Sequence, residues 1–247
     1  MKILLELTYD GTDFCGWQVQ RNAPTVQAHI QRACERLFGF APSVTGCSRT
    51  DSGVHALKYF CTVAGDIKLP CEKIPRALNS LLPSGIAVRN ARVTDDAFHP
   101  RYSSLGKEYS YLVNVSPCRE PLLEGRAWQL CRPLDTDEMT EAAKILVGRH
   151  AFGAFCSSGS SVTDTVRQIK YLTVSSRTRC VQIKVAADGF LYNMVRIIAG
   201  TLCEVGLNKR SLEEVRQALM TGERKFAGRT APACGLYLTD VFYDFTE

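Results

Sequence analysis

The 247-residue sequence predicts an α+β protein of two similar halves, each with mainly antiparallel sheets flanked by helices. Three observations carry this. Stretches with strand-like composition and alternation succeed stretches with helical apolar stripes along the whole chain. Neighbouring strands are joined by short connections, which favours antiparallel pairing. The same succession of strands around one or two helices stands on either side of a turn-rich stretch, residues 94–107. Residues 1–104 and 105–247 therefore read as two halves, without an exact sequence repeat.

In the first half, residues 2–8 form a strand, and a polar loop, Tyr9 to Asn22, follows. Its Trp17 suits either stacking on a base or covering the edge of the core. Thr25 is a good N-cap, Val26, Ile30, Ala33 and Leu37 keep a helical stripe, and Gly39 stops the helix. Pro42–Cys47 and Lys58–Val63 read as short strands on either side of a polar stretch. Glu72–Leu82 is helical, with Pro75 tolerated if it lies in the first turn. Ile86–Val93 alternates as a half-buried strand does.

In the second half, Glu108–Val115 is a strand with Tyr109, Tyr111 and Val113 on one face. Residues 116–133 are irregular. Asp135–Leu146 is a helix opened by an Asp-x-x-Glu capping pattern. His150–Ser161 is Gly- and Ser-rich and is expected to be a mobile loop. Val166–Ser176 and Cys180–Ala187 form a hairpin pair. Phe190–Val205 is an amphipathic helix with Leu191, Met194, Val195, Ile198, Leu202 and Val205 on its core stripe. Arg196 falls on another side, near Ala199 and Gly200, where small residues let a second backbone approach. Ser211-Leu-Glu-Glu opens a further helix with a capping box, and Leu238–Phe245 is a closing strand.

Composition narrows the function classes. Hydrophobic residues are 45% and charged residues 22%, ordinary for a globular protein. No apolar run approaches the roughly 20 residues that cross a bilayer. The chain enters its first strand without a signal-peptide pattern, so a cytoplasmic location is expected. Net charge is +5, with 12 Lys and Arg against 9 Asp and Glu in residues 1–105 and the rest of the excess beyond. Such a mild, spread excess permits nucleic-acid binding without demanding it. The eleven cysteines include no Cys-x-x-Cys pair, and the four histidines (29, 55, 99 and 150) are scattered. They read as buried or half-buried free thiols in a reducing compartment, with no metal site. Phosphate-loop and dinucleotide fingerprints are also missing, so no cofactor is expected.

The polar stretch Gly46–Ala56, Gly-Cys-Ser-Arg-Thr-Asp-Ser-Gly-Val-His-Ala, places Arg49, Thr50, Asp51 and His55 within seven residues between two strands. A rigid scaffold can there present one carboxylate to a cleft. The stretch closely resembles the Gly-Arg-Thr-Asp-x-Gly-Val-His-Ala signature of the TruA family of tRNA pseudouridine synthases. Leu7–Gln18 resembles that family's Tyr-Asp-Gly…Gly-Trp-Gln opening, and Thr25-Val-Gln27 the start of its first helix. Lys107–Tyr111, Phe190–Arg196 and Thr230–Leu238 continue the resemblance in the family's order, over nearly the whole chain.

The resemblance implies the pseudouridine synthase fold, two α+β halves whose sheets join around a positively charged cleft, and a homodimer. It implies isomerisation of uridine to pseudouridine at positions 38, 39 and 40 of the tRNA anticodon arm. Asp51 matches the family's nucleophile; a carboxylate can attack uracil C6 or ribose C1′ and later leave. Arg196 matches the Arg of the family's Met-Val-Arg helix, where it would pair with Asp51 and keep the acid ionised. Tyr109 matches the active-site Tyr, able to stack on uracil and to take the C5 proton. Arg49 suits a wedge in the place of a flipped base or a phosphate clamp. Arg101 and Lys107 are candidate phosphate contacts. Leu236 and Leu238 are candidates for an apolar wall against the base. His55 is expected to hold the loop by hydrogen bonding rather than to act as a base.

Three positions depart from the family pattern: Ser48 stands for a usual Gly, Ala151 for a common Asp, and Arg229 for a frequent Pro. Two other readings stay open, a pseudouridine synthase with another RNA target and a non-catalytic tRNA-binding or folding module.

Overall fold

The computed structural model describes residues 1–159 and 162–245. Among these, the strands are β1 (Lys2–Tyr9), β2 (Ser43–Gly46), β3 (His55–Ala64), β4 (Ile86–Thr94), β5 (Ser104–Val115), β6 (Trp128–Leu130), β7 (Gly148–Ala151), β8 (Val166–Arg177), β9 (Cys180–Ala187) and β10 (Leu236–Tyr243). The helices are α1 (Val26–Phe38), α2 (Ile74–Asn79), α3 (Thr136–Leu146), α4 (Met194–Gly206) and α5 (Leu212–Thr221). The chain divides into two compact units. One is Met1–Leu105 with the segment from Tyr237 on, and the other is Gly106–Leu236. The change at Leu105 lies beside the expected boundary, whereas the closing strand goes with the first unit rather than the second.

In the first unit β4, β1, β3 and β10 lie side by side. The pairings β4–β1 and β1–β3 are antiparallel, and β10 runs parallel to β3 through Tyr237↔His55 and Leu238↔Ala56. At its other end β3 pairs with β2, Ser43↔Ala64 to Gly46↔Cys61. One strand therefore has β10 beside its start and β2 beside its end. Ile3, Leu5, Leu7, Tyr59 and Val63 are fully buried in this sheet, and Val26, Ile30, Ile74 and Leu78 from the helices are fully buried too. Gly39 ends α1 in the left-handed conformation, φ 77°, as its place after the apolar stripe predicts. Thr25 holds the N-cap position, but its hydroxyl makes no cap bond and has no hydrogen-bond partner. The first amides of α1 are taken instead by backbone: Val26 N–H donates to the Gly16 carbonyl (3.1 Å) and Gln27 N–H to that of Trp17 (3.0 Å). Pro75 lies in the first turn of α2, where its missing N–H costs nothing.

In the second unit β5, β9, β8 and β7 form an antiparallel run, and β6 adds to β5 in parallel, Val113↔Trp128 to Val115↔Leu130. Three residues are too few to show alternation, which is why the 116–133 stretch reads as irregular. Asp135 caps α3 by accepting from the Asp137 and Glu138 amides, and Ser211 with Glu214 forms the complete capping box of α5. Helix α4 begins at Met194, four residues later than expected. Asn193 before it is left-handed, φ 60°, a turn that the apolar pattern through Phe190 and Leu191 does not reveal. The helix is also buried nearly all round, with only Arg196 and Glu204 half-buried, rather than amphipathic. A Cβ at Gly200 would collide with the Arg229 carbonyl, so a backbone does approach closely there.

The His150–Ser161 stretch is not a plain loop where it is described. β7 occupies its start, and Phe152, Ala154 and Phe155 have no exposed surface, with the two Phe rings 5.8 Å apart. These apolar residues, interspersed among Gly and Ser, anchor it to the core. Ser160 and Ser161 lie outside the described residues.

All eleven cysteines are free thiols. Cys34, Cys47, Cys61 and Cys203 are buried, and burial pushes Cys34 and Cys203 up to about 12. Cys118 and Cys131, expected to be at least half covered, are exposed.

Candidate active site

Between β2 and β3 the chain crosses from the Cys61 end to the His55 end of one strand, and residues 47–54 make that crossing. Cys47 N–H still donates to the Phe60 carbonyl of β3 (2.9 Å), but the rest of the crossing leaves the ladder and needs support from elsewhere. The 9–17 segment supplies it. Tyr9 Oη and Thr50 Oγ1 are 2.9 Å apart. Trp17 N–H donates to the Thr50 carbonyl (3.1 Å), and Gly53 N–H to the Phe14 carbonyl (3.2 Å). Ser52 Oγ donates to the same Phe14 carbonyl (3.3 Å). Two glycines make this approach possible. A Cβ at Gly11 would strike the Val54 carbonyl, and one at Gly16 the Thr50 carbonyl, with Gly16 also at φ 82°.

The other side of the loop rests on Tyr59. Its hydroxyl donates to the Ser48 carbonyl, and its ring stacks on Trp17 with centroids 4.2 Å apart. Burial holds the Tyr59 phenol well above its ordinary pKa, so it stays a donor. Trp17 is 3% exposed and is thus a core-covering residue in this fold. Ser48 does not have a positive φ, so its place opposite the family's usual Gly demands no strained backbone.

Within this frame Val54 N–H closes a turn on the Asp51 carbonyl (3.2 Å), and Gly53 takes φ 78°. Asp51 is half-buried, Arg49 is exposed and Thr50 is buried. His55 is 2% exposed. Its Nδ1 lies 3.0 Å from the Gly11 amide and 3.2 Å from an Asp10 carboxylate oxygen, and its ring stacks on Tyr237 at 4.5 Å. It ties three segments together, as a loop-holding residue should. Asp10 in turn accepts from the Thr12 amide (3.0 Å). The frame around Asp51 thus uses backbone from the Tyr-Asp-Gly…Gly-Trp stretch, and this explains the residue types there. Gly16→Ala would combine a disfavoured φ with a backbone collision. It is expected to cost roughly 1–3 kcal/mol in urea unfolding and to lower turnover by displacing the loop. An alanine variant with wild-type stability and turnover would show that the frame does not position Asp51.

The remaining candidates of the first unit are Arg101 and Leu238. Arg101 is exposed on the turn before β5. Leu238 has no exposed surface and sits beside Ala56 in the sheet, which is the environment of a core residue.

In the second unit Tyr109 stands on β5 opposite Val185. It is 6% exposed, and its ring meets Phe190 edge-on at 5.1 Å. Lys107, two residues earlier, is half-buried. Leu236 is 7% exposed at the start of β10. Arg196 occupies the first turn of α4. Its Nε donates to the Ala231 carbonyl (2.8 Å) and an Nη to Asn193 Oδ1 (2.8 Å). Asn193 Nδ2 donates to Ser157 Oγ (3.0 Å), and Ala231 N–H returns a bond to the Arg196 carbonyl (3.0 Å). Two fixed acceptors set the plane of the guanidinium, which a planar fork allows and a lysine would not. The sequence marked Arg196 but not these supports, because Ala231 lies 35 residues away and Asn193 acts through an unexpected turn. Arg229, the third departure, lies over the Trp128 ring at 4.5 Å and donates its amide to Glu204 (3.1 Å).

Comparison with known proteins adds to this geometry. A family model described as tRNA pseudouridine synthase matches residues 7–103 and 142–244. The "tRNA pseudouridine synthase A" of Thermoanaerobacter sp. is 44% identical over 241 residues, 98% of this chain and 99% of that protein. The protein of the same name from Acetivibrio thermocellus is 44% identical over 243 residues, with 98% and 99% covered. That from Bacillus subtilis is 41% identical over 246 residues, with 99% and 100% covered. With similarity of this extent along both units, the chain belongs to the tRNA pseudouridine synthase family, isomerases that act on tRNA.

Proposed function

We propose that this chain isomerises uridine to pseudouridine at positions 38, 39 and 40 in the anticodon arm of tRNA, with Asp51 as the nucleophile. The observation that carries the reading is the braced loop. It presents one half-buried carboxylate on a backbone fixed from both sides, in a member of a family with this chemistry.

In the proposed reaction the Asp51 carboxylate attacks uracil C6 or ribose C1′, and the C1′–N1 bond breaks. The uracil turns, C5 bonds to C1′, and the C5 proton leaves as Asp51 is released and N1 gains a proton. Atoms balance, and no electrons leave the substrate, so the step calls for no redox partner. Arg196, its plane set by Ala231 and Asn193, pairs with Asp51 and favours the ionised acid. Tyr109 stacks on the base, and its phenolic oxygen takes the C5 proton as its own proton is given up to solvent, from which N1 is protonated. Leu236 contributes apolar wall. Arg49, Arg101 and Lys107 contact phosphates, with Arg49 also able to fill the space of a flipped base.

The proposed assembly is a homodimer in the cytoplasm in which two +5 chains share one tRNA. Among the described residues no helix is long and apolar enough to cross a membrane. The deciding experiment is incubation of purified protein with unmodified tRNA, followed by pseudouridine mapping. Pseudouridine at 38, 39 or 40 is expected. Pseudouridine elsewhere would favour another RNA target, and binding without modification a non-catalytic module.

Affinity for tRNA is expected to fall steeply with salt, because each phosphate contact releases counterions. Arg49→Ala, Arg101→Ala and Lys107→Ala should each reduce the log–log slope by about one contact. Solution mass in the same titration tests the dimer. A flat salt response would remove these residues from the RNA surface, and a monomer with full activity would end the shared grip.

A further inference from the structure

The turn between β4 and β5 holds an aromatic ring out in solvent. Tyr102 is 76% exposed, the most exposed of the aromatic residues among the large hydrophobics that reach the surface. A ring so placed gains little from burial, so a role in the core does not account for it. Nor is it on a loose segment. Lys2 Nζ donates to the carbonyls of Asp96 and Phe98. The Phe98 ring packs on Tyr243 at 5.2 Å, and the Tyr243 hydroxyl donates to the Pro100 carbonyl. Ser103 N–H donates to the His99 carbonyl (2.8 Å), and His99 N–H to Ser103 Oγ (3.1 Å). The amides of Arg101 and Tyr102 both point to His99 Nδ1, at 3.1 and 3.3 Å. That nitrogen is therefore the acceptor, and the ring proton sits on Nε2.

These bonds leave the imidazole beside the phenol, with centroids 4.3 Å apart and planes at 33°. His99 supports one side of Tyr102, and Arg101, exposed, stands next to it in the chain with its guanidinium 5.8 Å from the ring centroid. A rigid exposed ring beside a cation is the arrangement by which proteins hold unpaired bases, since every base offers a π-face and each is followed by a phosphate. Two carboxylates, Asp95 and Asp96, also lie in this turn and are exposed. Asp95 is turned back on the Ala97 amide (2.6 Å). The local attraction for RNA must then come more from stacking than from charge.

We propose that Tyr102 is a stacking platform for an unpaired nucleobase of the RNA substrate, with Arg101 on the adjoining phosphate. This rests on the reading that the chain acts on RNA. It adds a contact that does not depend on Asp51.

The test is the dissociation constant for unmodified tRNA of the full chain and of Tyr102→Ala, Tyr102→Phe and Tyr102→Trp, with pseudouridine formation, thermal melting and solution mass measured alongside. Tyr102→Ala is expected to weaken binding about tenfold, while Phe and Trp stay within about threefold of wild type. Melting should be unchanged for all three, because the side chain is exposed. If wild type binds and modifies tRNA and Tyr102→Ala binds equally well, the platform is overturned and the enzymatic reading stands. Equal weakening by Ala, Phe and Trp would assign the effect to the hydroxyl and also overturn it. A change of solution mass in Tyr102→Ala would place the ring in a contact between copies of the chain. If wild type neither binds nor modifies tRNA, the functional reading fails and the platform with it.

Discussion

Asp51→Asn is expected to abolish pseudouridine formation, lowering kcat roughly 10⁴-fold or more, while tRNA affinity and melting temperature stay near wild type. Asparagine keeps the shape of the side chain but is a poor nucleophile. The named bonds that brace the loop do not use the carboxylate: Thr50 to Tyr9 and Trp17, Gly53 and Ser52 to Phe14, and Val54 to the Asp51 backbone carbonyl. An isosteric amide leaves those bonds in place, so the loss is expected in the chemistry, and the melting temperature checks the fold. Stopped turnover with retained binding is the expected outcome, read by pseudouridine mapping and a tRNA titration on the same preparation. A kcat within tenfold of wild type would remove Asp51 from the role of nucleophile.

That prediction could be framed from the sequence because the signature loop is local: Arg49, Thr50, Asp51 and His55 lie within seven residues between two recognisable strands. The strands around it were legible for the same reason, since alternation is a property of neighbours. What holds the loop was not legible. Gly11 touches Val54, and Gly16 touches Thr50, only after the first loop folds back over the second. No period in the sequence reports such a contact. The Thr25 cap shows the limit from the other side. The residue type is right for an N-cap, but the Gly16 and Trp17 carbonyls reach the first amides of α1, and the hydroxyl is left over.

The second unit repeats the lesson on a larger scale. The apolar stripe of α4 is real, yet nearly every other face of the helix is buried as well, so periodicity understated how central it is. Its start was misplaced because Asn193 turns left-handed within an unbroken apolar pattern. Residues 150–155 depart from the expected loop because Gly and Ser dominate the composition of the stretch, while packing at this end is decided by the Phe152 and Phe155 rings. The closing strand joins the first unit through parallel pairing with β3, a long-range choice that its own composition does not encode. Arg229 and Ser48, departures from the family pattern, are accommodated by the Trp128 ring and by an ordinary backbone conformation.

Arg196→Met should have two separable effects. The first is structural. The Ala231 carbonyl, on a residue with no exposed surface, and Asn193 Oδ1 both lose their charged donor. Leaving the buried Ala231 carbonyl and the half-buried Asn193 oxygen without that donor costs about 1–3 kcal/mol, which urea unfolding would read directly. Met restores the apolar volume of the stem, so the cost should stay near the lower end. The second effect belongs to the proposed pairing with Asp51. Losing a fixed cation beside the nucleophile should lower kcat roughly 10²–10³-fold, the size seen when one preorganised electrostatic partner is removed. Arg196→Lys separates the two. Lysine returns the positive charge, but a point ammonium cannot reproduce the planar two-site anchorage on Ala231 and Asn193. Partial recovery of kcat by lysine, with stability still reduced, is the expected pattern. If the methionine variant loses stability but turns over within threefold of wild type, Arg196 is a strut of α4 and its pairing with Asp51 is refuted. If kcat falls equally in both variants while the apparent pKa governing kcat stays fixed, geometry alone is at stake, and the charge of Arg196 does not keep Asp51 ionised.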